Sequence, residues 1–200
     1  MGALLAFVAR LITGAQGHWK GCPPKAEQRI YFANHQSHLD WVLIWAALPH
    51  DLRATTRPIA ARDYWTKTPF KKWLTTAVFN AVYVSRQKTA DEDPLEPLVD
   101  ALNHGDSLVI FPEGTRSNKG EPMPFKAGLY HLAKQFPGVP LVPAWIDNVQ
   151  RVMPKGEVVP VPILCTVTFG APMRLEANED KRAFLDRARE AVVGLRPRVT

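Results

Sequence analysis

Two short polar runs have the residue types and spacing that chemistry requires. The first is Asn34-His35-Gln36-Ser37-His38-Leu39-Asp40. A carboxylate beside a histidine can fix the imidazole tautomer, leaving the other ring nitrogen to take a proton from a hydroxyl. On one continuous helix, residues five apart are offset by about 140° and do not share a face. His35 and Asp40 meet only if His35 precedes the helix and Asp40 lies in its first turn. Ser37-x-x-Asp40 ahead of an apolar run is a capping-box-like start that gives this arrangement, with the helix beginning at Ser37. The same residues also read as a cap aspartate and a loop histidine bonded to backbone. As metal ligands, His35, His38 and Asp40 lack a recognised zinc spacing and a nearby acid or cysteine to complete the set.

The second run is Phe111-Pro112-Glu113-Gly114-Thr115-Arg116-Ser117, directly after the buried-strand pattern Ser107–Phe111. Ligands of open α/β sheets collect beyond the carboxyl ends of strands. Gly114 permits close backbone approach, and Thr115, Arg116 and Ser117 offer donors to an anion. Lys126 sits near the start of the next helix, where the dipole disfavours a cation, so an external anion would account for it. Arg62 and Arg86 end two further extended segments. With Arg116 they would line one rim of a parallel sheet and hold a phosphate-bearing substrate beside the base. Each of these cations, taken singly, also reads as a solvated surface charge.

Positioning these runs requires alternating strands and helices. Strand patterns fall at Arg29–Ala33, Thr55–Ala61, Ala81–Ser85, Ser107–Phe111, Val139–Ile146 and Ile163–Phe169. Helical patterns fall at Trp41–Leu48, Tyr64–Phe79, from Asp91-Glu92-Asp93-Pro94 to Gly105, at Lys126–Phe136, and after a cap at Asn178. The alternation predicts an α/β fold with a largely parallel, buried sheet flanked by helices. The 200 residues contain no evident linker or repeat, so a single domain spanning 1–200 is expected.

Composition limits the functional classes. At 46% hydrophobic and 22% charged, the chain is globular in character. Cys22 and Cys165 form no metal spacing and no Cys-x-x-Cys pair; a bridge between them stays open. The net charge is +6, and Asp51–Lys88 alone has eight basic residues against Asp51 and Asp63. Such a patch attracts phosphate on nucleic acid, lipid or metabolite. No nucleic-acid motif accompanies it, so nucleic acid is not an expected partner. Residues 2–15 are nearly all apolar, too short to span a bilayer, and lack the basic lead of a secretory signal. They suit either a membrane-surface helix or one docked on the protein's own core. Tyr64–Trp73 interleaves aromatics with lysines, suited to an anionic membrane surface or to a helix packing Trp65 and Trp73 inward.

With these residues assembled, the chain resembles the glycerolipid acyltransferases typified by 1-acylglycerol-3-phosphate acyltransferase. Asn34-His35-Gln36-Ser37-His38-Leu39-Asp40 is similar to that family's first motif, and Phe111–Ser117 matches its third in full. Tyr83-Val84-Ser85-Arg86 resembles the second, with Asn80 and Tyr83 replacing the usual glycine and phenylalanine. Val142-Pro143 on a late strand resembles the fourth, and Arg62 stands where relatives often have lysine. The resemblance implies acyl transfer from acyl-CoA or an acyl carrier protein thioester to lysophosphatidate, another lysolipid or glycerol 3-phosphate. It assigns His35 as base and Asp40 as its orienting partner. Arg62, Arg86, Glu113, Gly114, Thr115, Arg116 and Lys126 become acceptor-binding residues, with Glu113 organising the loop. It implies no metal or redox cofactor, and a peripheral or monotopic location on the cytoplasmic face of a membrane. A thioesterase or a silent lipid-binding relative remains an alternative.

Overall fold

The computed structural model describes residues 16–37, 40–85, 93–117, 121–147 and 165–197. The chain order is β1 (Gln16–Trp19), β2 (Ile30–Ala33), α1 (Asp40–Ala47), α2 (His50–Ala54), β3 (Thr56–Ala61), α3 (Arg62–Trp65) and α4 (Pro69–Trp73). A π-helical turn (Leu74–Val78) leads to β4 (Val82–Val84), α5 (Glu96–Asn103), β5 (Ser107–Ile110) and α6 (Gly128–Gln135). β6 (Leu141–Asp147), β7 (Thr166–Phe169) and α7 (Lys181–Val193) complete it.

The strands form a seven-stranded sheet in the order β1-β7-β6-β2-β5-β3-β4. The five from β6 to β4 run parallel; β7 is antiparallel to β6 and takes β1 parallel to itself. β2 is fully buried on both faces, as a central strand of a covered parallel sheet must be. Its side chains alternate between two apolar layers. Tyr31 and Ala33 join Trp41, Ile44 and Leu48 of the α1 side. Ile30 and Phe32 join Leu98, Leu129, Leu132, Phe184 and Val192 of α5, α6 and α7. Helices therefore cover both faces, and the predicted α/β fold with a largely parallel buried sheet is what forms.

This topology opens a crevice. From β2 the chain crosses β5 to reach β3 on the α1 face, whereas from β5 it crosses β2 to reach β6 on the α6 face. At the adjacent carboxyl ends of β2 and β5 the chain thus departs to opposite faces, which is where open α/β sheets bind ligands.

Several local expectations are corrected. The single helix expected over Tyr64–Phe79 is broken at Thr68, which is extended (φ −129, ψ 146) because Pro69 follows it. The Thr68 hydroxyl accepts the Lys71 N–H at 3.3 Å, starting α4 afresh. The π-helical turn then delivers Phe79 edge-on to Trp41 and Trp45 at 4.4 and 4.8 Å. The last helix is capped by Asp180, whose carboxylate accepts from Arg182 and Ala183 N–H, and not by Asn178. Asn178 instead takes the left-handed turn before it at φ 65. The first inner helix, expected to begin at Ser37, is described from Asp40 onward, and residues 38 and 39 lie outside the described residues. The helix expected from Asp91 starts at Glu96, after Asp93 accepts the Leu95 N–H at 2.9 Å.

β1 carried no strand pattern of its own. It forms because β7 offers it a parallel edge, and because Gly17 lets α1 approach; a Cβ there would stand 2.9 Å from the Ala47 carbonyl. Pro143 sits within β6 although proline lacks a ladder donor. Its carbonyl accepts from Gly170, just past the end of β7. A residue's N–H and C=O face the same edge of a strand, so the missing donor falls at that frayed end and spares the β2 pairing.

Candidate active site

Asn34, His35 and Gln36 follow β2 directly, and Asp40 opens α1. His35 therefore lies in the loop and Asp40 in the first turn, and the pair meets with His35 Nδ1 to Asp40 Oδ2 at 2.8 Å. The same Oδ2 accepts the backbone N–H of Gln36 at 2.6 Å and of Ser37 at 2.8 Å. The reach back to Ser37 is the acidic half of the anticipated capping box. Asp40 is fully buried, and its Oδ1 has no hydrogen-bond partner among the described residues. An ionised carboxylate can only accept, so Nδ1 carries the proton and Nε2 presents a lone pair. The imidazole stays 19% exposed, enough for a small group to reach it.

The loop after β5 builds the opposite wall. The Phe111 ring stacks on the His35 ring, with centroids 4.4 Å apart and planes 18° apart. Glu113 is buried and has both oxygens committed. Oε1 accepts the His35 backbone N–H and Oε2 the Met123 N–H, each at 2.8 Å. Burial raises the Glu113 carboxyl pKa, while those backbone donors pull it down. The Ser117 N–H donates to the His35 carbonyl at 2.8 Å, and Ser117 is itself buried. On the other side, Asn34 donates to the Ile146 carbonyl at 3.0 Å and accepts its N–H at 2.8 Å. His35 is thus held by a carboxylate beneath, a ring alongside and backbone ties to the loop after β5, and its neighbour Asn34 is tied to β6.

Gly114, Thr115 and Arg116 are exposed, as is Lys126. Gly114 has φ 68, which favours glycine, and a Cβ on it would lie 2.6 Å from Lys126 Nζ. The Lys126 side chain is therefore folded over the Glu113-Gly114 turn. Lys126 lies near the helix start as expected, two residues before α6, and its N–H pairs with the Pro112 carbonyl. Arg62 is exposed and opens α3 at the carboxyl end of β3. Arg62 at the start of α3, and Arg116 and Lys126 on the chain between β5 and α6, lie beyond the carboxyl edge of the sheet, and none pairs with an acid among the described residues. Arg86, the third strand-end arginine anticipated, lies outside the described residues, as do His38 and residues 1–15.

Glu113, expected from the resemblance to organise the acceptor loop rather than to touch the anion, has a buried carboxylate with both oxygens taken by backbone N–H groups, a geometry that suits that part. Sequence reasoning assigned nothing to Asn34 or Phe111, which complete the setting, although both stand at strand ends inside the two polar runs. Ser117 was anticipated as an anion donor; its hydroxyl instead donates to the Glu121 carbonyl at 2.7 Å, and its N–H ties the loop to His35. Cys22 and Cys165 are both buried free thiols, so no bridge joins them. Burial pushes the Cys165 thiol up to about 11, which makes it a poor nucleophile. Among the described residues, no group of three His, Cys, Asp or Glu is placed to hold a metal ion.

The family model described as Acyltransferase matches residues 22–147, which contain both polar runs and the whole crevice. The chain belongs to the acyltransferase family. Relatives agree in kind. The 1-acyl-sn-glycerol-3-phosphate acyltransferase alpha of Homo sapiens is 31% identical over 176 residues, covering 85% of this chain and 59% of its own length. The 1-acyl-sn-glycerol-3-phosphate acyltransferase of Saccharomyces cerevisiae is 33% identical over 137 residues, covering 63% of this chain and 41% of its own. The chain therefore spans 59% or less of these two relatives. Among solved structures, the 1-acyl-sn-glycerophosphate acyltransferase PlsC of Thermotoga maritima superposes with a TM-score of 0.70 at 24% identity, covering 98% of this chain and 81% of that one. At that identity the likeness concerns the fold, and it supports the acyltransferase-like α/β architecture.

Proposed function

We propose that this protein transfers a fatty acyl group from a thioester, acyl-CoA or acyl carrier protein, to the free hydroxyl of lysophosphatidate, giving phosphatidate. The observation that carries this reading is the His35–Asp40 pair at 2.8 Å, set at the carboxyl edge of the sheet beside the loops of Arg62, Arg116 and Lys126. The names of the relatives favour lysophosphatidate among the possible acceptors.

In this mechanism the cations hold the acceptor's phosphate and bring its hydroxyl to His35 Nε2. Nε2 takes the hydroxyl proton as the oxygen attacks the thioester carbonyl, and Asp40 stabilises the imidazolium that forms. The tetrahedral adduct collapses, the carbon–sulfur bond breaks, and the thiolate leaves with the proton held on Nε2. One ester and one thiol result, and no acyl-enzyme forms. The enzyme works at a membrane surface, peripherally or monotopically, where its acceptor resides.

The test is thiol release from oleoyl-CoA, and from the corresponding acyl carrier protein thioester, with and without lysophosphatidate. Glycerol 3-phosphate and lysophosphatidylcholine serve as competing acceptors, and products are identified by mass. Lysophosphatidate-dependent release yielding phosphatidate, abolished in a folded His35→Ala variant, supports the reading. Release without acceptor makes the protein a thioesterase, and near-normal transfer by His35→Ala removes the dyad mechanism.

A further inference from the structure

Among the described residues, two large apolar side chains stand out in solvent, Phe70 at 68% and Trp73 at 44% exposed. Both lie on α4, with ring centroids 6.1 Å apart, so they form one patch. The segment that bears them is anchored. Trp65 packs on the α1-side core and meets Trp41 edge-on at 5.5 Å, and Thr75 is buried. The patch is therefore presented on a fixed base and not on a loose end.

Cations flank the two rings along the chain. Lys67 and Lys72 are exposed, and Lys71 Nζ lies 3.9 Å from the centre of the Tyr64 ring. No acid occurs between Tyr64 and Ala90. The segment also starts from Arg62, at the carboxyl end of β3, the edge of the sheet that bears His35. We infer that α4 docks on an anionic lipid surface, with Phe70 and Trp73 entering the headgroup region and Lys67, Lys71 and Lys72 against lipid phosphates. The choice of a lipid over another polyanion rests on the proposed acyl transfer. A single-stranded nucleic acid would call for a basic groove with stacking platforms, whereas these rings project from a short helix. The apolar residues 2–15 are no better occupant, because their one charge is Arg10 and offers the lysines no counter-charge.

The experiment is vesicle sedimentation of the full chain on phosphatidylcholine alone and on phosphatidylcholine containing 3 parts in 10 phosphatidylglycerol (about 30%, enough for a negative surface potential). Phe70→Ala/Trp73→Ala should lower partition onto both vesicle types at least about tenfold, since both rings lose apolar contact. Lys67→Ala/Lys71→Ala/Lys72→Ala should lower it on the anionic vesicles by about a hundredfold, roughly fivefold per lysine, and hardly at all on the neutral ones. Circular dichroism melts check that both variants fold. Both folded variants binding anionic vesicles within twofold of the parent would overturn the inference, as would retention on single-stranded DNA in place of vesicles. Turnover with a short-chain, monomeric lysophosphatidate should be unchanged in both variants. That readout keeps a failure of docking distinct from a failure of the catalytic reading.

Discussion

Replacing Asp40 by asparagine separates the charge of this residue from its positioning. Asp40 Oδ2 gathers three donors, His35 Nδ1 and the N–H groups of Gln36 and Ser37, while Oδ1 has no partner among the described residues. An asparagine can place its oxygen at the Oδ2 position and its nitrogen where Oδ1 was, opposing no donor. The two backbone N–H groups enforce that orientation, so the imidazole keeps its tautomer. What disappears is the negative charge that faces the imidazolium in the transition state. A unit pair about 4 Å apart at an effective dielectric of about 20 is worth about 4 kcal/mol. At about 1.4 kcal/mol per factor of ten, kcat should fall about a thousandfold.

Stability should change much less. Three charge-assisted bonds become neutral, losing about 1 kcal/mol each, while removal of a fully buried charge returns a comparable amount. The thermal midpoint should stay within about 6 °C of the parent. Asp40→Ala should unfold more readily, because it strands all three donors. The assay is initial thiol release from oleoyl-CoA under saturating lysophosphatidate, beside a melting curve. A folded Asp40→Asn variant with kcat within tenfold of the parent would refute the electrostatic role.

Further outcomes bear on the loop and on the fold. Arg116→Ala should raise the KM for lysophosphatidate about ten- to a hundredfold, the worth of one charge-assisted bond, with kcat nearly unchanged; an unaltered KM takes Arg116 out of the phosphate site. Gly114→Ala should destabilise by about 1–2 kcal/mol, since alanine at φ 68 is strained. Its Cβ should also push Lys126 aside and raise the same KM several-fold, and a melting curve and KM both matching the parent would contradict that geometry. Glu179 accepts two hydrogen bonds from Arg187, which hold its carboxyl below the usual value of 4.5. A depressed carboxylate contributes stability above its unfolded pKa and loses it as pH falls through the folded one. Glu179→Gln should therefore lose less stability than the parent between pH 5 and pH 2, a window of about three units that straddles these values, as read from melts across that range.

The elements legible in the sequence were those governed by neighbours along the chain. Ile30–Ala33 and Ser107–Ile110 read as buried strands because every residue in them is apolar or small, which a strand covered on both faces demands. The meeting of His35 and Asp40 was legible too, because a loop residue and a first-turn residue on the same short stretch are brought together by the helix start itself. Other features depended on distant partners. β1 needed the edge of β7, and the break at Thr68 was a choice between a helical pattern and the backbone demand of Pro69. Which groups would take the two Glu113 oxygens was likewise decided by the fold, which placed the backbone N–H groups of His35 and Met123 against them.

Residue type and spacing determined which groups could carry the chemistry, since tautomer control and phosphate attraction are properties of side chains. Only the tertiary structure decided that the loops after β2 and β5 face each other. That juxtaposition comes from the strand order, in which the chain leaves two adjacent strands toward opposite faces of the sheet. The central part of that order is set by packing between residues far apart in the chain, as the pairing of Ile30 with Leu108 illustrates, and no local pattern encodes it.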